Sequence, residues 1–224
     1  LGQLVRNGHL TEAEKEKLSK RPIILNFRPE NHLDGVATYF REYLRDYMKD
    51  WAKANKKPDG SEYDVYKDGL KIYTTIDSRM QKYAEESVAA HMKNLQVEFF
   101  NQNRGVRNAP FVSLTNSETN KIMMQAMKNS DRWRLMKAQD KSDEQIIASF
   151  SVKTKMTVFS WDGEKEMIMT PLDSIRYYKH FLQCGLMSME PQTGQIKAWV
   201  GGIDYKYFQY DQVGQGARQV GSTF

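Results

Sequence analysis

The chain contains 224 residues, of which 40% are hydrophobic and 27% are charged, and its formal net charge is +5. This length suits one large domain or two small ones with a sizeable core. Basic and acidic residues are interspersed without a run of five like charges, so we expect a solvated surface and no nucleic-acid site. The single cysteine, Cys184, excludes an internal disulfide, and its apolar surroundings predict a packed thiol. The histidines are too scattered to predict a metal site: His9, His32, His91 and His180.

No apolar run approaches the length of a membrane span, and residues 1–17 lack the apolar core of a signal peptide. Because the chain starts at Leu1 instead of a methionine and stops at Phe224, we expect an excised, soluble piece of a longer protein.

The first third of the chain predicts two helices and a linker. Thr11 and Glu14 have the spacing of a capping box, and the helix that they open should end before Pro22. Apolar residues at helical spacing predict a second helix over 37–54. Its aromatic stripe favours packing over ligand stacking: Phe40, Tyr43, Leu44, Tyr47, Met48 and Trp51. The turn-rich stretch 55–68 predicts a linker.

The middle of the chain predicts a strand over 69–77 and then a long helix. Asp77 or Ser78 can cap this helix, and Ser78 with Gln81 has the spacing of a second capping box. The predicted inner face of this helix contains Met80, Tyr83, Ala84, Ser87, Val88, His91, Met92 and Leu95. Residues 99–150 predict three short helices, and a capping box formed by Ser142 and Gln145 opens the third.

The last third predicts two hairpins separated by a helix. Alternating residues around Asp162-Gly163 predict the first hairpin with a tight turn. Pro171 and Asp173 indicate a helix that ends at Gly185. Residues 185–202 predict strand, turn and strand. The predicted fold class is therefore α+β.

Several stretches resemble class A, bifunctional penicillin-binding proteins. Glu190–Ile196 and Val200–Gly202 are similar to the hairpin that opens the transpeptidase domain of that family, and Arg218–Phe224 is similar to its nucleophile motif. "KIYTTIDSRMQKYAEESV" is similar to the family's entry segment at Thr74–Asp77, Gln81, Ala84 and Glu85. "LVRNGHLTEAEKEKL" resembles the last helices of the family's glycosyltransferase domain.

The resemblance implies four regions. They are the end of the glycosyltransferase domain (1–54), a linker with an entry strand and helix (55–94), an inserted helical and hairpin subdomain (95–183), and the truncated start of the transpeptidase domain (184–224). We expect the last region to hold only the first hairpin of an incomplete sheet, with Met187–Val200 flexible or paired with another chain.

The resemblance also implies a catalytic role for Ser222. In the S-x-x-K motif, the serine is acylated and a lysine three residues later helps to move its proton, which predicts lysine at position 225. Lys153-Thr154-Lys155 differs from the family's K-T-G motif and precedes the serine, so it is excluded. Without the downstream motifs we expect the chain to be catalytically silent. Substrate-binding residues are not predicted, and no cofactor or metal is expected.

For the parent protein, the resemblance implies peptidoglycan stem peptides and a lipid-linked disaccharide-pentapeptide precursor as substrates, and β-lactams as inhibitors. It implies a membrane anchor and a location on the periplasmic side of the inner membrane. A second function remains open, in which 95–183 is a binding module for cell-wall synthesis proteins or glycan. The candidate contact residues are Arg132, Trp133, Arg134, Tyr177 and Tyr178.

Overall fold

The computed structural model describes residues 1–22 and 32–217. The chain forms two compact units, Leu1–Asn31 and His32–Phe224, which are described separately. Among the described residues, no helix combines the length and the apolar character that a membrane span requires.

The described part of the first unit contains two helices, α1 (Gly2–Arg6) and α2 (Glu12–Ser19). The predicted capping box of α2 is confirmed. Thr11 Oγ1 accepts from the Glu14 amide, and the Glu14 carboxylate accepts from the Thr11 amide. These two bonds satisfy amide groups that a helix start leaves unpaired.

The second unit contains helices and two separate antiparallel hairpins, which confirms the α+β class. Its elements are α3 (Thr38–Ala54), α4 (Ser78–Gln102), α5 (Asn116–Lys128), α6 (Asp131–Lys137), α7 (Asp143–Ser149), β1 (Thr154–Val158), β2 (Lys165–Met169), α8 (Pro171–Lys179), β3 (Leu186–Met189) and β4 (Ile196–Val200).

Helix α3 is confirmed, but its aromatic stripe is only partly buried. Met48 lies in the core, whereas Tyr43 and Tyr47 are 48% and 58% exposed. Tyr39, which the stripe did not include, is only 4% exposed. The reason is tertiary: the first turn of α3 packs against the loop that follows β4.

The strand predicted over 69–77 is absent, and this prediction was wrong. The segment meets the edge of β4 through a hydrogen bond from Thr75 Oγ1 to Ile196 O (2.7 Å) and one from Asp77 N to Lys197 O (3.0 Å). The first of these bonds uses a side chain, so no backbone ladder forms, and Tyr73 is left 90% exposed.

The capping box predicted for Ser78 and Gln81 was also wrong. Asp77 caps α4, since its Oδ1 accepts from the amides of Arg79 and Met80. These bonds stabilise the carboxylate and lower the pKa of Asp77. The Gln81 side chain is fully buried and bonds to Trp199 of β4 instead of capping the helix.

The three short helices α5, α6 and α7 are confirmed, including the capping box of Ser142 and Gln145. Together with α8 they enclose a core whose buried members are Met127, Trp133, Ile146 and Phe150. Met124 and Met136 pack at its edge. The methionine-rich helices thus fill a core, a use that suits this flexible side chain.

Both hairpins are confirmed, with differences at their ends. Val158 pairs with Lys165, so the loop between β1 and β2 runs over 159–164 and is longer than a tight turn. Helix α8 ends at Lys179 and not at Gly185. In the turn between β3 and β4, Gly194 has φ 72, a conformation that glycine adopts without strain.

A second core lies between α4 and the β3–β4 hairpin. Its buried members are Ala84, Val88, Met92, Ala198 and Val200. Five residues of the predicted inner face are exposed: Met80, Tyr83, Ser87, His91 and Leu95. Gln81 and Gln96 take part in the buried stripe in their place.

Candidate functional site

The predicted nucleophile, Ser222, lies with residues 218–224 outside the described part of the chain. The structure does describe residues 201–217, the loop that leads from β4 toward it. We call this segment the approach loop.

The base of the approach loop is held by a buried glutamine. Gln81 Nε2 donates to Trp199 O (2.9 Å), and Gln81 Oε1 accepts from Trp199 N (2.7 Å), although the two residues are 118 positions apart. One amide side chain therefore satisfies both backbone groups of a buried strand residue. Because buried backbone groups must be paired, this contact fixes β4 on α4.

Glu85 extends this contact to α3. Its Oε1 accepts from Gln81 Nε2 (2.8 Å) and from the Ala37 amide (2.8 Å). Ala37 precedes α3 and has φ 55, which is uncommon for a residue with a side chain. The entry-segment motif thus connects three elements: Asp77 starts α4, Gln81 binds β4, and Glu85 binds the start of α3.

Trp199 lies at the centre of these contacts and is 6% exposed. Its ring stacks on Tyr43, with centroids 5.1 Å apart, and lies 6.0 Å from the ring of Phe40. Its indole Nε1 donates to Asp211 Oδ2 (3.0 Å). The tryptophan therefore joins α3 and β4 to the approach loop.

Asp211 organises the second half of the approach loop. Its Oδ1 accepts from the amides of Val213 (2.9 Å) and Gly214 (3.2 Å). The Asp211 carbonyl accepts from the Gln215 amide (2.9 Å). The side chain is 8% exposed, and within 1–22 and 32–217 no ion pair reaches it, so N–H groups alone stabilise the carboxylate.

Gly201 and Gly202 allow the Tyr39 ring to lie closer to the backbone than a residue with a side chain would permit. A Cβ on Gly201 would lie 2.7 Å from Tyr39 Cδ1, and one on Gly202 would lie 2.8 Å from Tyr39 Cζ. The Tyr39 hydroxyl donates to Phe208 O (2.6 Å). Burial, with a smaller effect of the Asp204 charge, raises the pKa of Tyr39 well above its ordinary value, so the hydroxyl keeps its proton.

An aromatic cluster joins the first half of the approach loop to the middle of the chain. Phe159 contacts Phe181 and Phe208 edge to face, with centroids 5.2 and 5.4 Å apart. Tyr177 Oη donates to Phe159 O (2.7 Å), and the Phe159 amide donates to Tyr178 Oη (3.2 Å). The approach loop is therefore packed on α8 and the β1–β2 loop.

Charged groups lie beside this cluster. Glu164 accepts from Tyr207 Oη (2.7 Å) and pairs with Lys206 Nζ (2.5 Å). Burial and the bond to Glu164 raise the pKa of Tyr207 to about 12. Asp204 is half-buried, and burial raises its pKa. Glu164, Asp204, Lys206 and Tyr207 border a cavity of about 390 Å³ between the approach loop and the β1–β2 loop.

Most of the residues that the sequence suggested for a docking surface contact other parts of the protein. Trp133 is buried in the core, and Tyr177 and Tyr178 belong to the aromatic cluster. The Arg132 guanidinium lies 5.9 Å from the centroid of the Phe150 ring. Arg134 pairs with Asp131 on the same helix and is exposed.

Other sequence candidates have ordinary environments. Cys184 is half-buried beside the α4 core, and burial raises the pKa of its thiol. Lys155 on β1 pairs with Glu166 across the hairpin (2.7 Å). Throughout the described ranges, no group of three or more His, Cys, Asp or Glu residues is arranged to hold a metal ion.

Sequence reasoning missed Tyr39, Trp199 and Asp211. The Val200–Gly202 motif was a usable signal, because two glycines after a strand indicate close approach of another group. No local pattern identified the group that approaches.

Residues 106–182 match the family model of the penicillin-binding protein middle domain. This range lies inside the segment 95–183, and the boundaries of the four predicted regions stay predictions.

The chain is similar along its length to several curated relatives. Penicillin-binding protein 1A of Rickettsia bellii is 25% identical over 98% of the chain and 29% of the relative. Penicillin-binding protein 1A of Aquifex aeolicus is 25% identical over 100% of the chain and 29% of the relative. That of Neisseria flavescens is 23% identical over 72% of the chain and 23% of the relative. No solved structure shows a significant match.

The middle-domain match and the relatives support the resemblance of this chain to part of a class A penicillin-binding protein. The chain spans about 29% of the length of the first two of these relatives.

Proposed function

We propose that this chain is the part of a peptidoglycan synthase that connects the end of a glycosyltransferase domain to the start of a transpeptidase domain. The parent protein polymerises glycan strands from a lipid-linked precursor and cross-links their stem peptides. It acts on the periplasmic side of the inner membrane and needs no cofactor for the transpeptidase step. Residues 1–224 alone lack the downstream motifs and are inactive.

Ser222 is the nucleophile in this proposal. Its oxygen attacks the carbonyl carbon between the two terminal D-alanines of a stem peptide. The serine C–O ester bond forms, the peptide C–N bond breaks, and the serine proton passes through the lysine at 225 to the departing D-alanine. An amine of a second stem peptide then displaces the serine. A β-lactam follows the same first step but its ring C–N bond opens, which leaves a stable ester.

One observation supports this proposal most strongly. The motif residues that suggested the family form a single contact network, although they are far apart in the sequence. Gln81 of the entry segment binds the strand that precedes Gly201 and Gly202, and Asp77 N donates to the same strand. A chance likeness of short motifs would not require these positions to meet.

Labelling with a fluorescent penicillin tests the proposal. The natural protein, carried past residue 225, should acquire the label, and Ser222→Ala should abolish it. Ser117→Ala is the matched control, because Ser117 is exposed on α5 and should label as the wild type does. Equal labelling of the Ser222→Ala protein would refute the assignment.

A further inference from the structure

We propose that Asp211 and Trp199 form a clamp that positions the nucleophile segment, so that they govern the rate at which Ser222 is acylated without contacting the substrate. This inference rests on the proposed function. It adds two positioning residues that lie before the nucleophile motif.

The first argument is the chemistry of the Asp211 carboxylate. Its two oxygens receive three N–H donors: two backbone amides on Oδ1 and the indole of Trp199 on Oδ2. The amides belong to Val213 and Gly214 of its own loop, whereas the indole belongs to β4. One carboxylate therefore folds the loop into a turn and ties that turn to the sheet. A buried carboxylate with hydrogen bonds from N–H groups holds its partners more strongly than a neutral acceptor does.

The second argument is that Trp199 is itself immobilised. Gln81 holds both of its backbone groups, and the rings of Tyr43 and Phe40 pack against its indole. The anchor to which Asp211 is attached is thus fixed by α3, α4 and β4 together. Because Trp199 is fixed, its bond to Asp211 also fixes the approach loop.

The third argument is that the loop is tightly folded where it leaves the clamp. The Gln212 amide donates to Gly201 O (2.7 Å), so the turn lies against the end of β4. A Cβ on Gly216 would lie 2.5 Å from Gln212 O, and one on Gly185 would lie 3.1 Å from Val213 Cγ2. The turn is therefore packed between the start of β3 and the end of β4, with no room for a side chain at Gly216 and little at Gly185.

Few residues separate the clamp from the serine along the chain. Ser222 follows Ala217 by five residues, which span at most about 17 Å when fully extended. The exit direction of the clamped loop thus limits where the serine can lie. Since misplacing a reacting group by about 1 Å can slow a reaction about 100-fold, loosening the clamp should slow acylation.

Two variants of the natural full-length protein remove the clamp bond. Trp199→Phe keeps an aromatic ring and loses the N–H donor. Asp211→Asn changes the volume little, keeps an oxygen for the backbone amides and can place an NH₂ group against the indole N–H. The matched control is Ser174→Ala, which also removes one partly buried hydrogen bond (2.8 Å to Pro171 O) but lies outside the clamp and the aromatic cluster.

The assay separates non-covalent binding of a fluorescent penicillin from the acylation step by stopped-flow kinetics, and records Tm for each variant. We expect both clamp variants to lower the acylation rate constant about 10-fold to 100-fold. The dissociation constant of the initial complex should stay within about twofold, and the Tm of Asp211→Asn should fall no further than it does in Ser174→Ala. The double variant should be no slower than the slower single variant, since both remove the same bond.

Two results would overturn the inference. One is an acylation rate constant of Trp199→Phe equal to that of the wild type. The other is an equal slowing in Ser174→Ala, which would indicate a general loss of stability. Either result leaves the proposed function intact if the wild type is labelled and Ser222→Ala is not. A wild-type protein that takes no label would refute the proposed function as well.

Discussion

The contact between Gln81 and Trp199 gives the sharpest stability prediction. Replacing Gln81 by alanine removes both hydrogen bonds to Trp199, of 2.9 and 2.7 Å. Gln81 is fully buried, and Trp199 is 6% exposed. The carbonyl and the amide of Trp199 would then be buried without a partner.

The expected magnitude follows from those two groups. Each buried polar group left unpaired costs about 1–3 kcal/mol, so the loss should be about 2–6 kcal/mol. The space vacated by the side chain adds to this loss unless the surroundings collapse into it. The free energy of unfolding of a domain is about 5–15 kcal/mol, so Gln81→Ala should visibly destabilise the protein.

Urea denaturation, followed by tryptophan fluorescence, measures this loss. Gln102→Ala is the matched control, because Gln102 lies on the same helix and is exposed. Its free energy of unfolding should change by no more than about 0.5 kcal/mol. A difference of less than about 1 kcal/mol between the two variants would show that the paired amide does not hold β4 on α4.

Two further predictions concern the approach loop. Gly202→Ala places a Cβ 2.8 Å from Tyr39 Cζ, so α3 or the loop must shift, and Tm should fall by several degrees in differential scanning calorimetry. An unchanged Tm would contradict the close packing. Burial raises the pKa of Asp204 above its ordinary value of 3.8, so the folded state binds this proton more tightly than the unfolded state does. Stability from this group is present below pH 3.8 and is lost as pH rises through the folded pKa. Asp204→Asn should therefore show a smaller loss of Tm than the wild type as pH is raised from 3 to 7, whereas parallel curves would exclude the effect.

Helix starts were the most predictable features, because a capping box depends on residues three positions apart. Thr11 with Glu14, and Ser142 with Gln145, form the expected bonds. The box predicted from Ser78 failed because the preceding Asp77 supplies a better acceptor. The capping residue can thus be predicted from local sequence where one candidate is present. The prediction is less reliable where two neighbouring residues can both accept from the first amides of the helix.

Features set by distant partners were less predictable. The strand expected over 69–77 has suitable residues, but a strand requires a backbone partner, and β4 offers only two contacts there. The buried face of α4 includes Gln81 and Gln96, and polar residues do not register in an apolar pattern. Both side chains pair with backbone groups more than 80 positions away.

The candidate site contains both a residue predicted from local sequence and residues that only the fold identifies. Ser222 and its motif were predicted from a resemblance that the comparisons support, whereas the serine's surroundings lie outside the described residues. Trp199 and Asp211 were not predicted. An isolated aspartate in a polar loop is typical of a solvated surface, and only the fold places it against an indole.

The central claim is that Ser222 is the residue acylated in the natural protein. The most direct measurement is tandem mass spectrometry of peptides from the full-length protein after reaction with benzylpenicillin. We predict a penicilloyl adduct on the peptide that contains Ser222, with the mass shift localised to that residue. An adduct on any other residue, or no adduct at all, would contradict the account.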